Sequence, residues 1–279
     1  MKYLATFIFF LSCSFLSEAQ LQKPVKLMTY NIKFDDRNDQ VNNWNNRKEH
    51  LIGLLKYHQP NIFGTQEGLF NQLEDIDNAL SDYTYVGVAR EDGKQEGEYS
   101  AIFYDSTLFM LKSSGNFWLS ETPDKPSKGW DAANTRICTW AHFENRESGK
   151  SFYVFNAHFD HVGVEARKNS IRLITKKVNE IAGNSAVIVM GDFNFTNDSE
   201  PYQLITKNLS DSYLISEKAP YGPEATFNAF RFSEMPKRRI DYIFVNDGVE
   251  VLSYATLSDS KEMHYPSDHF PVQAQIRLK

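Results

Sequence analysis

The chain has two cysteines, Cys13 and Cys138, among 279 residues. With Cys13 inside an apolar N-terminal run, no disulfide framework is available, and burial alone must hold the fold. Excess positive charge is also missing. Thirty Lys and Arg stand against 36 Asp and Glu, for a formal net charge of -6. Tight, sequence-independent binding to long nucleic acid draws on a basic surface, so no stable nucleic-acid complex is expected. A brief catalytic encounter with a phosphate stays open, especially where a metal ion supplies positive charge. No repeat of fixed period, low-complexity segment or Pro/Gly/Ser-rich linker divides the chain. Past Ala19 no apolar run is long enough to cross a membrane. One domain, acting as a monomer, is expected.

At the N-terminus Met1-Lys2 precedes an apolar run from Tyr3 to Leu16, followed by Ser17-Glu18-Ala19-Gln20. This reads as a secretory signal peptide, residues 1–19, cleaved after Ala19. The mature domain is then 20–279, exported to the periplasm or the exterior. An uncleaved anchor helix and a lipoprotein acylated at Cys13 are the alternatives, and Phe10-Leu11-Ser12 suits the second poorly. Cleavage removes Lys2 and Glu18, so the charge is unchanged, and leaves Cys138 without a partner.

Strand-like runs recur at Val25–Asn31, Ser100–Tyr104, Ile137–Phe143, Phe152–Ala157, Val187–Met190, Ile240–Val245 and Val272–Ile276. They are rich in Val, Ile, Phe and Tyr and bounded by Gly, Asn, Asp or Pro. Helical spacing holds over Arg47–His58 and Val164–Ala182, with a third helix near Leu69–Leu80. Helices interspersed among more numerous strands predict an α/β domain, with mixed sheets packed face to face and helices outside.

Polar residues able to coordinate or move protons sit at the ends of strands: Asn31, Glu67 after "NIFGTQ", His158, Asp192 with Asn194, Asp241, and Asp268-His269. Singly, each has a dull explanation as a turn, a cap or a satisfied core group. Together, at strand ends where ligands gather, they predict a site. In "VMGDFN", Asp192 and Asn194 on an extended segment would project to one side and hold a water between them. Aspartate is a useful base there only if the proton leaves during attack or a metal lowers the pKa of the water. Asp268 and His269 are adjacent, so they must lie on a turn to serve one site. Asp241 opens a strand, from which it can reach a histidine and hold its tautomer. A histidine so held stays cationic and stabilises phosphoryl charge.

"MTYNIKFDD", "TQEG", "EYSAIFYD", "NTRICTW", "NAHFDHVG", "VMGDFN", "RIDYIFV" and "SDHFPV" occur in the order seen in the endonuclease/exonuclease/phosphatase superfamily. The chain resembles that superfamily, as a deoxyribonuclease-like metal-dependent phosphoesterase, from about residue 25 to 278. The resemblance implies a four-layered α/β sandwich and a phosphoester hydrolase requiring Mg²⁺ or Mn²⁺. It implies Asn31, Glu67 and Asp268 around the metal, with Glu67 the principal ligand, a hard oxygen shell that suits Mg²⁺. It gives Asp192 and Asn194 the attacking water. His269, held by Asp241, serves the transition state, and His158 the phosphate or leaving oxygen. Glu98 matches the partner of that histidine, and Arg136 a phosphate contact, or else a strand-end ion pair.

Lys33 stands where apurinic endonucleases carry an acid, and "FTNDSEPY" lacks the arginine of the inositol-phosphate subset. Both departures weaken those readings. His161 either touches substrate or caps the next helix. Residues 225–239 interleave Phe227, Phe230 and Phe232 with Arg231, Lys237, Arg238 and Arg239. They either clamp a nucleotide or sugar phosphate, Phe230 included, or form a strand pair with a solvated basic turn. The substrate is expected among nucleic acid, phospholipid head groups and phosphorylated metabolites. A catalytically inactive binding module is the alternative, but every expected site position is filled.

Overall fold

A computed structural model describes residues 23–279, so the expected signal peptide and Cys13 lie outside the described residues. Strands and helices are numbered in chain order. Two six-stranded mixed sheets pack face to face. The first runs β11 (Val249–Thr256), β12 (Val272–Leu278), β1 (Val25–Asn31), β2 (Ile62–Gln66), β4 (Ile102–Asp105), β3 (Tyr83–Val86). The second runs β5 (Phe109–Trp118), β6 (Ile137–Asn145), β7 (Ser151–His158), β8 (Ala186–Asp192), β10 (Asp241–Val245), β9 (Ser210–Asp211). Helices α1 (Trp44–His58) and α2 (Phe70–Ala79) cover the first sheet. Helices α3 (Val164–Ala182) and α4 (Glu200–Ile205) cover the second, and a short α5 (Ser212–Ile215) follows β9. This is the four-layered sandwich that the sequence predicts.

The central strands are buried on both faces, which is why they read as unbroken apolar runs. On β1, Val25 and Leu27 join the core between the sheets while Met28 and Tyr30 pack under α1 and α2. On β8, Ile188 and Met190 face inward and Val187 and Val189 lie under α3. Toward one end of both sheets the inward positions turn polar. The period-two series runs Leu27, Thr29, Asn31 on β1; Ile62, Gly64, Gln66 on β2; Val154, Asn156, His158 on β7; and Ile188, Met190, Asp192 on β8. Register does the rest. His158 pairs with Asp192, and Asp241 pairs with Asp192 from the other side, so the three stand in line across neighbouring strands.

Two glycines make this packing possible. Gly191 has φ of 150°, and a Cβ there would stand 1.9 Å from the Ala157 carbonyl oxygen. A Cβ on Gly64 would meet the Asn156 side chain at 2.6 Å. Asn156 uses that space to cross between the sheets. Its amide donates to the Thr65 and Ala101 carbonyls at 2.9 and 2.8 Å, and its oxygen accepts from Gln66 at 2.7 Å.

Expected boundaries hold within a few residues. The main shift is α1, which starts at Trp44 and not Arg47 because the Asn43 side chain caps it, accepting from the Asn46 amide at 3.2 Å. Strands β3, β5, β9 and β11 were not evident from sequence pattern. β5 is a sheet edge with Lys112–Ser114 exposed, so its middle carries no apolar signal.

Candidate active site

The polar ends of β1, β2, β7, β8 and β10 and the loop before β12 surround a cleft of about 430 Å³. Glu67, His158, Asp192, Asn194, Asp268 and His269 all line it. Lys33, Glu67 and Asn194 hold left-handed backbones, with φ of 57°, 61° and 51°. Non-glycine residues rarely adopt that conformation, and such strain concentrates at functional sites.

His269 and His158 are held in opposite states. His269 Nδ1 donates to Asp241 Oδ2 at 2.8 Å, and its Nε2 stands 3.7 Å from Asp192 Oδ2. Burial alone would lower its pKa, but Asp241 and then Asp192 raise it to about 10, so it is an imidazolium at neutral pH. His158 is different. Burial and the adjacent Arg136 guanidinium push its pKa well below the ordinary value, so it is neutral. Arg136 Nη1 lies 3.0 Å from His158 Nδ1. A guanidinium can only donate, so Nδ1 accepts and the proton of the neutral ring sits on Nε2. The Asn194 amide nitrogen, itself donating to the Phe159 carbonyl at 3.0 Å, approaches that Nε2 to 3.2 Å.

Asp192 is the third titrating group. Burial and the Asp241 carboxylate raise it to about 7, against the pull of His269. It accepts from the Asn31 amide at 2.9 Å and from the Asn194 backbone N–H at 3.0 Å. A carboxyl poised near neutrality is a far better base than a solvated aspartate.

Across the cleft, Glu67 and Asp268 confront each other with a cation between them. Lys33 Nζ sits 3.5 Å from Glu67 Oε2 and 3.5 Å from Asp268 Oδ2. Burial, with Glu67 nearby, raises the Asp268 carboxyl. Two largely buried carboxylates already converging on an ammonium fit a hard divalent cation, and Glu67 and Asp268 would hold it. Asp192, Asp241 and His269 also place ligand atoms within 4.8 Å of one another. In that cluster the His269–Asp241 hydrogen bond already occupies two of the groups.

Several expected placements need correction. Asn31 is not presented as an oxygen ligand. Its amide nitrogen donates to Glu67 at 3.0 Å and to Asp192, while its oxygen accepts from the Lys33 N–H at 3.1 Å. Asn194 does not reach the cleft by strand alternation, because β8 ends at Asp192 and Asn194 sits on a left-handed turn. Asp268 ends the bend 266–268 and His269 follows it in an isolated bridge to Phe227, yet both line the same cleft. Glu98 lines the cleft but does not hold His158. It stands 3.7 Å from Nδ1 and binds Arg90 at 2.5 Å, leaving that nitrogen to Arg136. Phe230 is not at the cleft, since its ring packs against Arg47, 5.6 Å from the guanidinium carbon. Phe227 takes the place expected for it, edge-on to His269 at 5.0 Å and beneath Arg238 at 4.9 Å. His161 does not cap α3. Gly163 is the cap residue, and His161 lines the cleft with Nδ1 3.2 Å from Arg136 Nη2.

Two residues with structural roles surround this machinery. Asp160 accepts from the amides of Ala133, Asn134, Val162 and Gly163 at 2.8–3.0 Å and pairs with Arg136 at 3.4 Å. Burial would raise its carboxyl, but these amide donors hold it far below the usual range. Asp160→Ala should cost roughly 3 kcal/mol at neutral pH. A depressed folded pKa contributes stability above the unfolded value and loses it as pH falls. Denaturant titrations should therefore show the wild-type advantage shrinking below about pH 4.

Arg239 belongs to no substrate clamp. It is buried, bonded to Asp211 at 2.7 Å, and sandwiched between Tyr213 and Tyr242 at 4.5 and 4.6 Å. Arg239→Met strands Asp211 and should remove roughly 3 kcal/mol or more of stability, read from the urea midpoint.

Similarity to known proteins follows the same lines. A Bacteroides vulgatus structure described as an endonuclease/exonuclease/phosphatase superposes with a TM-score of 0.88 at 39% identity, covering 92% of this chain and 100% of that one. A mannosyl-6-phosphatase from Bacteroides thetaiotaomicron VPI-5482 superposes with a TM-score of 0.86 at 39% identity, covering 91% and 100%. The Ccr4 exoribonuclease subunit of Emericella nidulans is 29% identical over 136 residues, 42% of this chain and 20% of that protein's length. With residues 28–269 matching its sequence pattern, and with two helix-flanked mixed sheets enclosing an acid-rich cleft, the chain belongs to the Endonuclease/Exonuclease/phosphatase family.

Proposed function

We propose that the protein hydrolyses the phosphomonoester of a sugar, releasing inorganic phosphate and the sugar hydroxyl. The observation that carries this is a single cleft of about 430 Å³ holding a base near neutrality, a cationic histidine and a neutral N–H donor opposite two cation-binding carboxylates. Full-length similarity to a mannosyl-6-phosphatase supports the sugar, and the formal charge of -6 suits it better than a nucleic-acid strand.

Asp192 takes the proton of the attacking water as the new P–O bond forms, and the P–O bond to the sugar breaks. The departing oxygen recovers a proton from solvent. His158 donates its Nε2–H to a phosphoryl oxygen, and the His269 imidazolium offsets the charge that accumulates there. Asp241 keeps that imidazolium charged and aimed. Glu67 and Asp268 would hold Mg²⁺ or Mn²⁺, which when bound supplies further positive charge to the phosphoryl group and lowers the pKa of its water. The N-terminal sequence supports action outside the cytoplasm.

Phosphate release from mannose 6-phosphate and glucose 6-phosphate should be compared with cleavage of an oligonucleotide and of a glycerophospholipid head group. Nuclease activity with no phosphate from either hexose would defeat the proposal.

A further inference from the structure

The catalytic cleft is the first of three cavities that adjoin. A second, of about 340 Å³, shares Asn194, Arg238 and Ile240 with it. A third, of about 620 Å³, lies beside the second, with Thr196 lining both. The series extends well past what a phosphoryl group and one hexose fill. We infer that the third cavity is a saccharide subsite, so that the scissile phosphate is carried on an oligosaccharide whose chain continues past Arg238. This rests on the sugar-phosphatase reading and extends it from a free sugar phosphate to a phosphorylated glycan.

The wall of the third cavity is aromatic and graded in exposure. Phe270, 3% exposed, directly follows His269. Tyr265 packs edge-on to it at 4.9 Å, and Phe232, 39% exposed, lies tilted over Tyr265 at 5.2 Å. Aromatic faces offered to solvent beside polar groups suit pyranose rings, which have apolar C–H faces and hydroxyl rims. The rim here carries Glu224, Glu234 and Lys237. Glu234 pairs with Arg231 at 3.0 Å, while Lys237 has no ion pair among the described residues. The buried Arg239 behind them is neutralised by Asp211. Such a rim gives carboxylate acceptors and an ammonium donor for hydroxyls without a net positive field. A nucleic-acid strand would bring a phosphate with every nucleotide into this space and would need that field.

Arg238 marks the passage between cavities. Its guanidinium stacks on Phe227 and has no carboxylate partner among the described residues. It lines both the catalytic cleft and the second cavity, within reach of a linking sugar's oxygens.

The test compares kcat/KM for mannose 6-phosphate, a mannotriose phosphorylated at O6 of its terminal residue, and a 5′-phosphorylated trinucleotide. The phosphotrisaccharide should be favoured over the monosaccharide by about tenfold or more, the scale of one stacked contact. Phe232→Ala should bring that ratio toward one. Phe232 is partly exposed, and Phe232→Leu serves if the alanine variant misfolds. Unphosphorylated mannotriose should inhibit the wild type competitively, and less so either variant. Equal kcat/KM on the two sugars, or an undiminished ratio in the variants, overturns the subsite and leaves the phosphatase reading intact. Preference for the trinucleotide overturns the subsite as well. No phosphate from any sugar overturns both.

Discussion

Excess EDTA should reduce phosphate release to background, and added Mg²⁺ or Mn²⁺ should restore it. The expectation comes from Glu67 and Asp268, two largely buried carboxylates facing one cation position. Lys33 reaches that position at 3.5 Å from each, too far for the tight oxygen contacts a small divalent ion makes at about 2.1 Å. Its ammonium offsets the charge pair without replacing the ion. Glu67→Gln removes one formal charge while keeping the shape, so activity should need far more metal to saturate. A metal titration of both proteins would show this as a shifted midpoint with the plateau partly recovered. Full activity of the wild type in chelator would rule the carboxylate pair out as a metal site.

Asp192→Asn should lower kcat by a factor of about 10² to 10⁴, the range for loss of a positioned base. The variant should fold normally, because an isosteric amide relieves the repulsion that Asp241 exerts on a buried carboxylate. His269→Ala should lose about 10² to 10³, as when one charge-stabilising donor is deleted. The pH profile gives an independent reading. Asp192 must be unprotonated and His269 protonated, so kcat/KM should climb through about pH 7 and fall again near pH 10. These limbs belong to the interacting Asp192 and His269 jointly, and Asp192→Asn should erase the lower one. A variant with near-normal turnover, or an unchanged lower limb, would remove Asp192 from its role.

Much of this site is legible in sequence because the central strands are buried on both faces. A run such as Val187–Met190 can only be interior, so the polar residue that ends it must be accounted for. That reasoning points to Asp192 and His158 without coordinates, and the same logic at the start of a run points to Asp241. It fails where geometry departs from strand periodicity. The left-handed turn at Asn194, the inverted amide of Asn31 and the substitution of Arg136 for Glu98 beside His158 have no signature in residue spacing. The segment 225–239 shows the limit most clearly. Its aromatics and cations alternate as a ligand clamp would, yet Arg239 is locked to Asp211 in the interior and Phe230 packs on Arg47. Edge strand β5 escapes pattern reading because one side has nothing to bury.

The position of β12 has a consequence for synthesis. It lies between β11 and β1, pairing Val25 with Ile276, so the first strand made waits for one of the last before its sheet can close. Asp268 and His269 arrive on the approach to that strand. A polypeptide interrupted before Val272 therefore exposes an unpaired central edge, prone to association, and lacks the closed sheet that seats its histidine. The candidate site is therefore assembled only once β12 has been made and has taken its place beside β1.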